Sequence, residues 1–411
     1  TAAEASAITQ YASHYVPGVY HNGLLTLPGL ALSAGLLIVA VLLNWFGVRL
    51  FARVNLVLTT MKFVIPVVTI VALLASSFHP GNLTDAGGFA PNGWSAALSA
   101  VATAGIIYTI NGFAPTIDLS GEARNPRRDL PRAVLTAIGL AVLLYLVLQA
   151  AFLLALPHSS LVHGWRGIDF SSPFGELALL LNLGWLAALL YSDAVFSPGG
   201  ALLVGVAGNS RVTFALAKNK LLPRKVAHVD ERSGVPRPAL WVNFVLALIM
   251  LVPFRGWQEI ISVTGDLFLL NYAVAAVATG SFRAAEPDRL SRWVSGMRWI
   301  TPASFTVASE IIYWSKWQSL RIVLPLALVG FVIFIAAREN RAHLTSQLRK
   351  GLWIIVYIVA LFVISGLGGF GGTGALPAPW DTLAVAAVSL VLFRWGVHSG
   401  HRHLRPEDAE S

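Results

Sequence analysis

The sequence predicts an all-α polytopic membrane protein, and three observations predict it. First, the 411-residue chain is 56% hydrophobic and only 12% charged, about half the charged share of a soluble domain. Its mean hydropathy of +0.68 leaves too few polar groups to cover a globular surface. Second, apolar runs long enough to cross a bilayer recur along the whole chain. Third, Lys and Arg alternate between loops as they do in membrane proteins. The net charge of +9 follows that alternation, so it marks membrane orientation and not a nucleic-acid surface. Cysteine is absent, which excludes a disulfide framework and thiolate metal sites. No separate soluble domain is indicated.

Eleven spans are expected, near 27–47, 56–77, 98–120, 132–156, 176–207, 238–254, 258–280, 300–315, 320–337, 351–368 and 380–396. The eighth is the most polar, because it holds Ser304, Ser309, Glu310 and Trp314. When the loops are assigned alternately to two sides, one side and the tail carry 24 of the 29 Lys and Arg. The other side carries Arg166, Arg255, Lys316 and Arg321, and Lys62 lies within a span. Cytoplasmic loops are enriched in Lys and Arg. The rich side therefore faces the cytoplasm, with Thr1 outside and the C-terminus inside. The chain lacks an initiator Met and a signal peptide, so further spans are expected upstream of Thr1. The external segments 76–94, rich in Gly, Asn and Pro, and 366–380, rich in Gly and Pro, read as ordered or mobile surface loops.

Two spans carry charges of opposite sign. Lys62 lies about seven residues from the cytoplasmic end of its helix, roughly 10 Å deep at 1.5 Å per residue. A charge at mid-helix costs at least about 2.5–3.5 kcal/mol. A long Lys stem can snorkel back to the headgroups, which is the bland alternative. Pro66, four residues on, has no N–H and so frees the carbonyl of Lys62. Asp193 lies near the middle of its run, within Tyr191-Ser192-Asp193-Ala194-Val195-Phe196-Ser197-Pro198-Gly199-Gly200. Asp193 and Ser197 are four apart and share a helix face. Pro198 frees the carbonyl of Ala194, and the Gly pair allows a close helix approach. The bland alternative is a structural ion pair or an interhelical hydrogen bond. Lys62, Asp193 and Ser197 are the proton-coupling candidates.

The third span contains Tyr108-Thr109-Ile110-Asn111-Gly112-Phe113-Ala114-Pro115. Pro115 frees the carbonyl of Asn111, and Gly112 is a poor helix former. A helix interrupted inside the membrane is tolerated where it lines a cavity or is buried in protein, and such helices bind substrate in secondary transporters. Tyr108, Thr109, Asn111, Gly112 and Phe113 are the substrate-binding candidates, with a plain kink as the alternative. The run Gly121-Glu122 to Arg132 reads as a cytoplasmic turn whose prolines end one helix and start the next.

Other signals carry less. Gly366-Leu367-Gly368-Gly369-Phe370-Gly371 matches a dinucleotide fingerprint by letter but lacks the strand and helix around it. His398, His401 and His403 sit in a basic tail expected against the bilayer surface. Asp266 and Glu310 lie in or near spans, where either could face the cavity, each on a weak case. No metal or cofactor site is indicated, and no nucleophile–base spacing suggests an enzyme.

Gly121-Glu122 with Asn125-Pro126-Arg127-Arg128-Asp129-Leu130-Pro131 resembles the signature after the sixth helix of the amino acid–polyamine–organocation (APC) superfamily permeases. Ser210-Arg211, Ala215-Leu216-Ala217-Lys218-Asn219 and Leu221-Leu222-Pro223 resemble the loop after their eighth helix, and Asn55 with Lys62 resembles their fifth. Phe51-Ala52-Arg53-Val54-Asn55, Gly87-Gly88-Phe89-Ala90-Pro91, Asp193 with Ser197-Pro198-Gly199-Gly200, and Ile312-Tyr313-Trp314 are similar to the bacterial aspartate:proton symporter group. The resemblance runs almost the whole length. It implies a LeuT-like inverted-repeat transporter fold of fourteen helices with a ten-helix core. Residues 1–411 would then form one transmembrane transporter domain, family helices four to fourteen, preceded by the external end of helix three. It further implies that the first and sixth helices jointly hold the amino acid. Only the sixth has a counterpart here, so upstream helices of the same protein would complete the site. In relatives, a Lys on the fifth helix replaces a sodium ion and cycles a proton, and Lys62 matches it. Ser197 falls near the family's ion-site residue on the eighth helix. A pairing of Asp193 with Lys62, or a proton relay through Asp193, goes beyond the resemblance.

The expected function is proton-coupled symport of amino acids, acidic ones favoured, across the cell inner (cytoplasmic) membrane, with amino acid, protons and the bilayer as partners. The alternatives are an amino acid exchanger on the same scaffold and a non-transporting fragment or membrane subunit.

Overall fold

The computed structural model describes all residues except 46–48, 85–86, 89, 115–116, 118–124, 171, 220, 232–233, 253–255, 286–295, 337–343 and 405–411; side chains are also left undescribed at 49–59, 331, 333–336, 344–350 and 403–404. The expected contributions of Pro115 and Gly121 to Arg124, and the side chain of Asn55, fall outside the described residues.

The described chain is almost wholly helical. It runs α1 (Ala2–Ala12), a hairpin of β1 (Tyr20–His21) and β2 (Leu24–Leu25), α2 (Leu27–Trp45), α3 (Arg49–Ser76), α4 (Trp94–Thr103), α5 (Ile106–Ile110) and α6 (Pro126–Ala155). There follow α7 (Pro173–Leu180), α8 (Gly184–Lys218), α9 (Arg237–Leu251), α10 (Trp257–Ala285), α11 (Met297–Trp314), α12 (Trp317–Ala336), α13 (Leu344–Leu367) and α14 (Trp380–Leu404). Each expected span falls on one or more of these helices. By length and composition α2, α6, α8, α10 and α14 can cross a membrane, and α4 with α5 makes a sixth if the bent pair is counted as one. α11 is not among them, as its polar residues lead one to expect.

Four local features differ from the sequence reading. The run 176–207 is not one helix: Asn182 adopts φ +58° and separates α7 from α8, which then continues to Lys218. Pro126 occupies the first turn of α6, so the signature from Pro126 onward is helix and not turn. Proline is favoured there because the N–H it lacks would have no partner. The hairpin before α2 was unexpected. Asn22 and Gly23 take φ +48° and +80° at its two-residue turn, and Asn-Gly is the sequence that tolerates such a turn. The segment after α13 is folded back on itself, with Thr373 N–H donating to Gly366 and Leu376 N–H to Leu367.

The chain forms two compact units. The first comprises Thr1–Gly93 and Phe113–Ile260. Its centre is α8, against which α1, α2, α3, α7 and α9 pack. Leu73, Phe152, Leu156, Leu177, Leu186 and Tyr191 form its main core. Asp230 and Arg237 pair at 2.9 Å, and the same guanidinium lies 4.6 Å from the centre of the Trp45 ring. The second unit comprises Trp94–Gly112 and Ile261–Ser411. Within it α11 packs on α4 and α14, and α13 bridges α12 and α14. Phe305, Ile312, Tyr313, Leu320, Tyr357 and Val385 are its core.

Candidate functional site

In the first unit α3 lies against α8, which brings the two expected charges to neighbouring helices. Lys62 is exposed and Asp193 half-buried. The charge of Lys62 acts on Asp193, although no direct ion pair joins them among the described residues. Both helices run on through their prolines, Pro66 and Pro198. Each proline therefore leaves one carbonyl without its helical partner, at Lys62 and at Ala194. Ser197 is half-buried one turn after Asp193. The expected close approach at the Gly pair is not made by Gly199, which has open space where a Cβ would stand, whereas Gly200 is buried.

The same unit holds a cavity of about 660 Å³ whose wall includes His14, Asp169, Glu176, Tyr191 and Gln258. Tyr191 stacks flat on His14 at 4.3 Å and stands two residues before Asp193.

In the second unit the expected helix break is present, but it begins earlier than proposed. α4 and α5 meet at 47°. The break is at Gly105, whose φ of +82° closes α4 and opens α5. Glycine is favoured there by its positive φ, and a Cβ would stand 2.6 Å from Ile261 Cδ1, the far end of a side chain of α10 that would have to shift. The Gly105 carbonyl accepts both the backbone N–H of Thr109 at 2.9 Å and its hydroxyl at 2.6 Å, which ties the first turn of α5 to the break. α5 lasts barely a turn before Asn111–Phe113 tightens into a 3-10 turn. Tyr108 stacks on Phe268 at 6.3 Å. The Asn111 carboxamide oxygen accepts from the Tyr272 hydroxyl. Gly112 has open space at its Cβ position. The boundary between the two units falls between Gly112 and Phe113.

Sequence reasoning missed Tyr272, which anchors Asn111, and underrated Asp266. Asp266 is buried and accepts from Ser315 and, at 3.0 Å, from Ser319. The signal available was the four-residue spacing of the two serines.

Residues 2–313 match the family model described as amino acid permease. The chain belongs to the amino acid permease family. Among its relatives, the glutamate/serine transporter AimA of Bacillus subtilis is 36% identical over 99% of this chain and 78% of the relative. The aspartate-proton symporter of the same organism is 34% identical over 97% of this chain and 78% of the relative. Cationic amino acid transporter 4 of Mus musculus is 26% identical over 65% of this chain and 42% of the relative. This permease is therefore a multi-pass membrane transporter of the APC superfamily and not an enzyme.

Proposed function

We propose that this permease is a proton-coupled symporter that carries amino acids, acidic ones preferred, across the cytoplasmic membrane. The observation that carries the reading is that Lys62 and Asp193, opposite in charge, lie on the packed helices α3 and α8. An isolated charge in hydrocarbon is expensive. Two opposite charges near each other but not bonded form a pair whose energy changes sharply when one proton is added or removed. Protonated Lys62 balances ionised Asp193 and favours the outward-facing, substrate-accepting state. Proton loss toward the cytoplasm removes that balance and favours release. Ser197 lies one turn from Asp193 and can hydrate or relay the proton.

The interrupted α4–α5 segment supplies the substrate contacts. Tyr272 engages the oxygen of Asn111 and leaves the amide N–H groups to meet a carboxylate. Gly112 lets a substrate approach the backbone, and Tyr108, Thr109 and Phe113 complete the set. The Lys and Arg bias of the loops supports a cytoplasmic C-terminus, and in this reading the eleven spans are family helices four to fourteen of one transporter domain. An acidic preference is supported by the names of the two bacterial relatives, one an aspartate-proton symporter and the other a glutamate/serine transporter.

The test is isotope uptake into liposomes containing the purified protein, with an inward proton gradient and a panel of amino acids. Aspartate or glutamate is expected to accumulate above its external concentration and to outcompete the rest. Accumulation of neutral or basic amino acids alone would refute the substrate assignment.

A further inference from the structure

In the second unit α11 and α14 pack antiparallel, with the Phe305 and Phe393 rings 5.8 Å apart toward one end and Tyr313 bonded to Asp381 at the other. The stretch between is unexpectedly polar. Asp381 is fully buried and surrounded by donors. It accepts from the Tyr313 hydroxyl at 2.5 Å and from the backbone N–H groups of Gly369 and Thr382 at 3.2 and 2.7 Å. The Thr382 hydroxyl adds a longer contact at 3.4 Å. That environment is built for a carboxylate anion.

Glu310, one turn before Tyr313 on α11, has the opposite environment. It is only 8% exposed, and neither carboxyl oxygen has a hydrogen-bond partner among the described residues. Ser389, two turns along α14 on the face shared by Asp381 and Val385, also buries a hydroxyl without a partner. A buried carboxylate with no donor and no cation is so costly that such a group normally takes up a proton instead.

Among the described residues no cation pairs with Glu310, and α10 brings another acid, Asp266, which accepts from Ser315 just after α11. From α14 the charge that acts on Glu310 is that of Asp381, an anion. From α13 comes Tyr357, whose hydroxyl bonds Ser309 at 2.7 Å. On α12 and its preceding turn, Arg321 and Lys316 are exposed. α4 contains no titratable residue. Two carboxyl groups whose surroundings push in opposite directions divide the roles of proton holder and fixed anion.

We propose that Glu310 is a proton-binding site, in a different unit from Lys62 and Asp193, which holds its proton beside the fixed anion of Asp381 and exchanges it through the cavity above. That cavity, about 580 Å³, is lined by Ser95, Ser99, Lys316, Gln318 and the Gly369–Gly371 backbone. Gly369 both faces the cavity and donates to Asp381, and Phe370 packs edge-on against Tyr313 at 5.2 Å. Gly369 thus links the cavity wall to Asp381. By loop charge this is the external side. The step itself is simple: hydronium in the cavity gives one proton to a Glu310 carboxylate oxygen and leaves water and a neutral carboxyl group.

The experiment is infrared difference spectroscopy of the purified protein in lipid across a pH titration, without substrate. The unaltered protein is expected to show the carbonyl band of a neutral, buried carboxyl at neutral pH. Glu310→Gln, close in shape to the protonated acid, should remove that band and keep the thermal stability. Glu310→Asp should move the band without abolishing it, which guards against a folding failure in the first variant. Asp381→Asn removes the neighbouring anion, so the band should vanish at a lower pH. A spectrum unchanged by Glu310→Gln would overturn the proposal. So would a sodium-dependent stabilisation lost in that variant, since the site would then hold a cation. The readout needs no transport, so failure of the symport reading would leave it intact.

Discussion

Lys62→Ala abolishes proton-driven accumulation while the protein still folds. A pH gradient of one unit is worth about 1.4 kcal/mol, which supports about tenfold accumulation for one proton per substrate. Without the amine, the field that acts on Asp193 is gone, and the carboxyl group is left without its counter-charge in the membrane. Accumulation in liposomes should fall to about onefold, that is, to simple equilibration. Counterflow, in which labelled substrate exchanges with unlabelled substrate inside, should persist to the extent that the binding segment is intact. Lys62→Ala accumulating to the unmodified level would remove this residue from the coupling mechanism. Thermal stability should change little, because Lys62 is exposed and makes no direct ion pair with Asp193.

The second large effect is expected at Gly105. A valine there must adopt φ near +82°, which costs a non-glycine residue about 1–3 kcal/mol, and its Cβ would stand 2.6 Å from Ile261 Cδ1. The helix can escape both penalties by straightening. In doing so it would carry Tyr108, Thr109 and Asn111 off their positions. Uptake should fall at least tenfold, with expression and membrane insertion retained. The two causes are separable. Gly105→Ala with Ile261→Ala relieves the side-chain contact but not the backbone strain, so it should recover activity only in part. Full recovery would show that contact with α10, and not the left-handed backbone, holds the break.

How much of this was legible in the sequence depends on the kind of signal. The spans were legible because apolar length and loop charge are additive along the chain, and each expected run falls on helix. Lys62 and Asp193 stood out because a charge in an apolar run has no local excuse. Their proximity was not legible, since it depends on how α3 crosses α8. The break in the third span was read from Gly112 and Pro115, yet it begins at Gly105. A glycine in an Ala-rich run looks like ordinary helix packing until Ile261 is seen beside it. The split at Asn182 was hidden for a similar reason: Leu flanks it on both sides, so the hydropathy never dips. Asp266, Tyr272 and Glu310 went unranked because their meaning lies in partners far along the chain. Ser315 and Ser319 serve Asp266, Asn111 takes the Tyr272 hydroxyl, and Glu310 is notable because its carboxyl oxygens have no hydrogen-bond partner among the described residues.

The most direct test of the central claim is simultaneous measurement of proton and amino acid entry in liposomes that enclose a pH-sensitive dye and contain no internal substrate. Proton-coupled symport predicts that external aspartate or glutamate acidifies the interior as the label enters, and that Lys62→Ala abolishes the acidification. Label entry that requires internal amino acid and leaves the internal pH unchanged would contradict it and identify an exchanger.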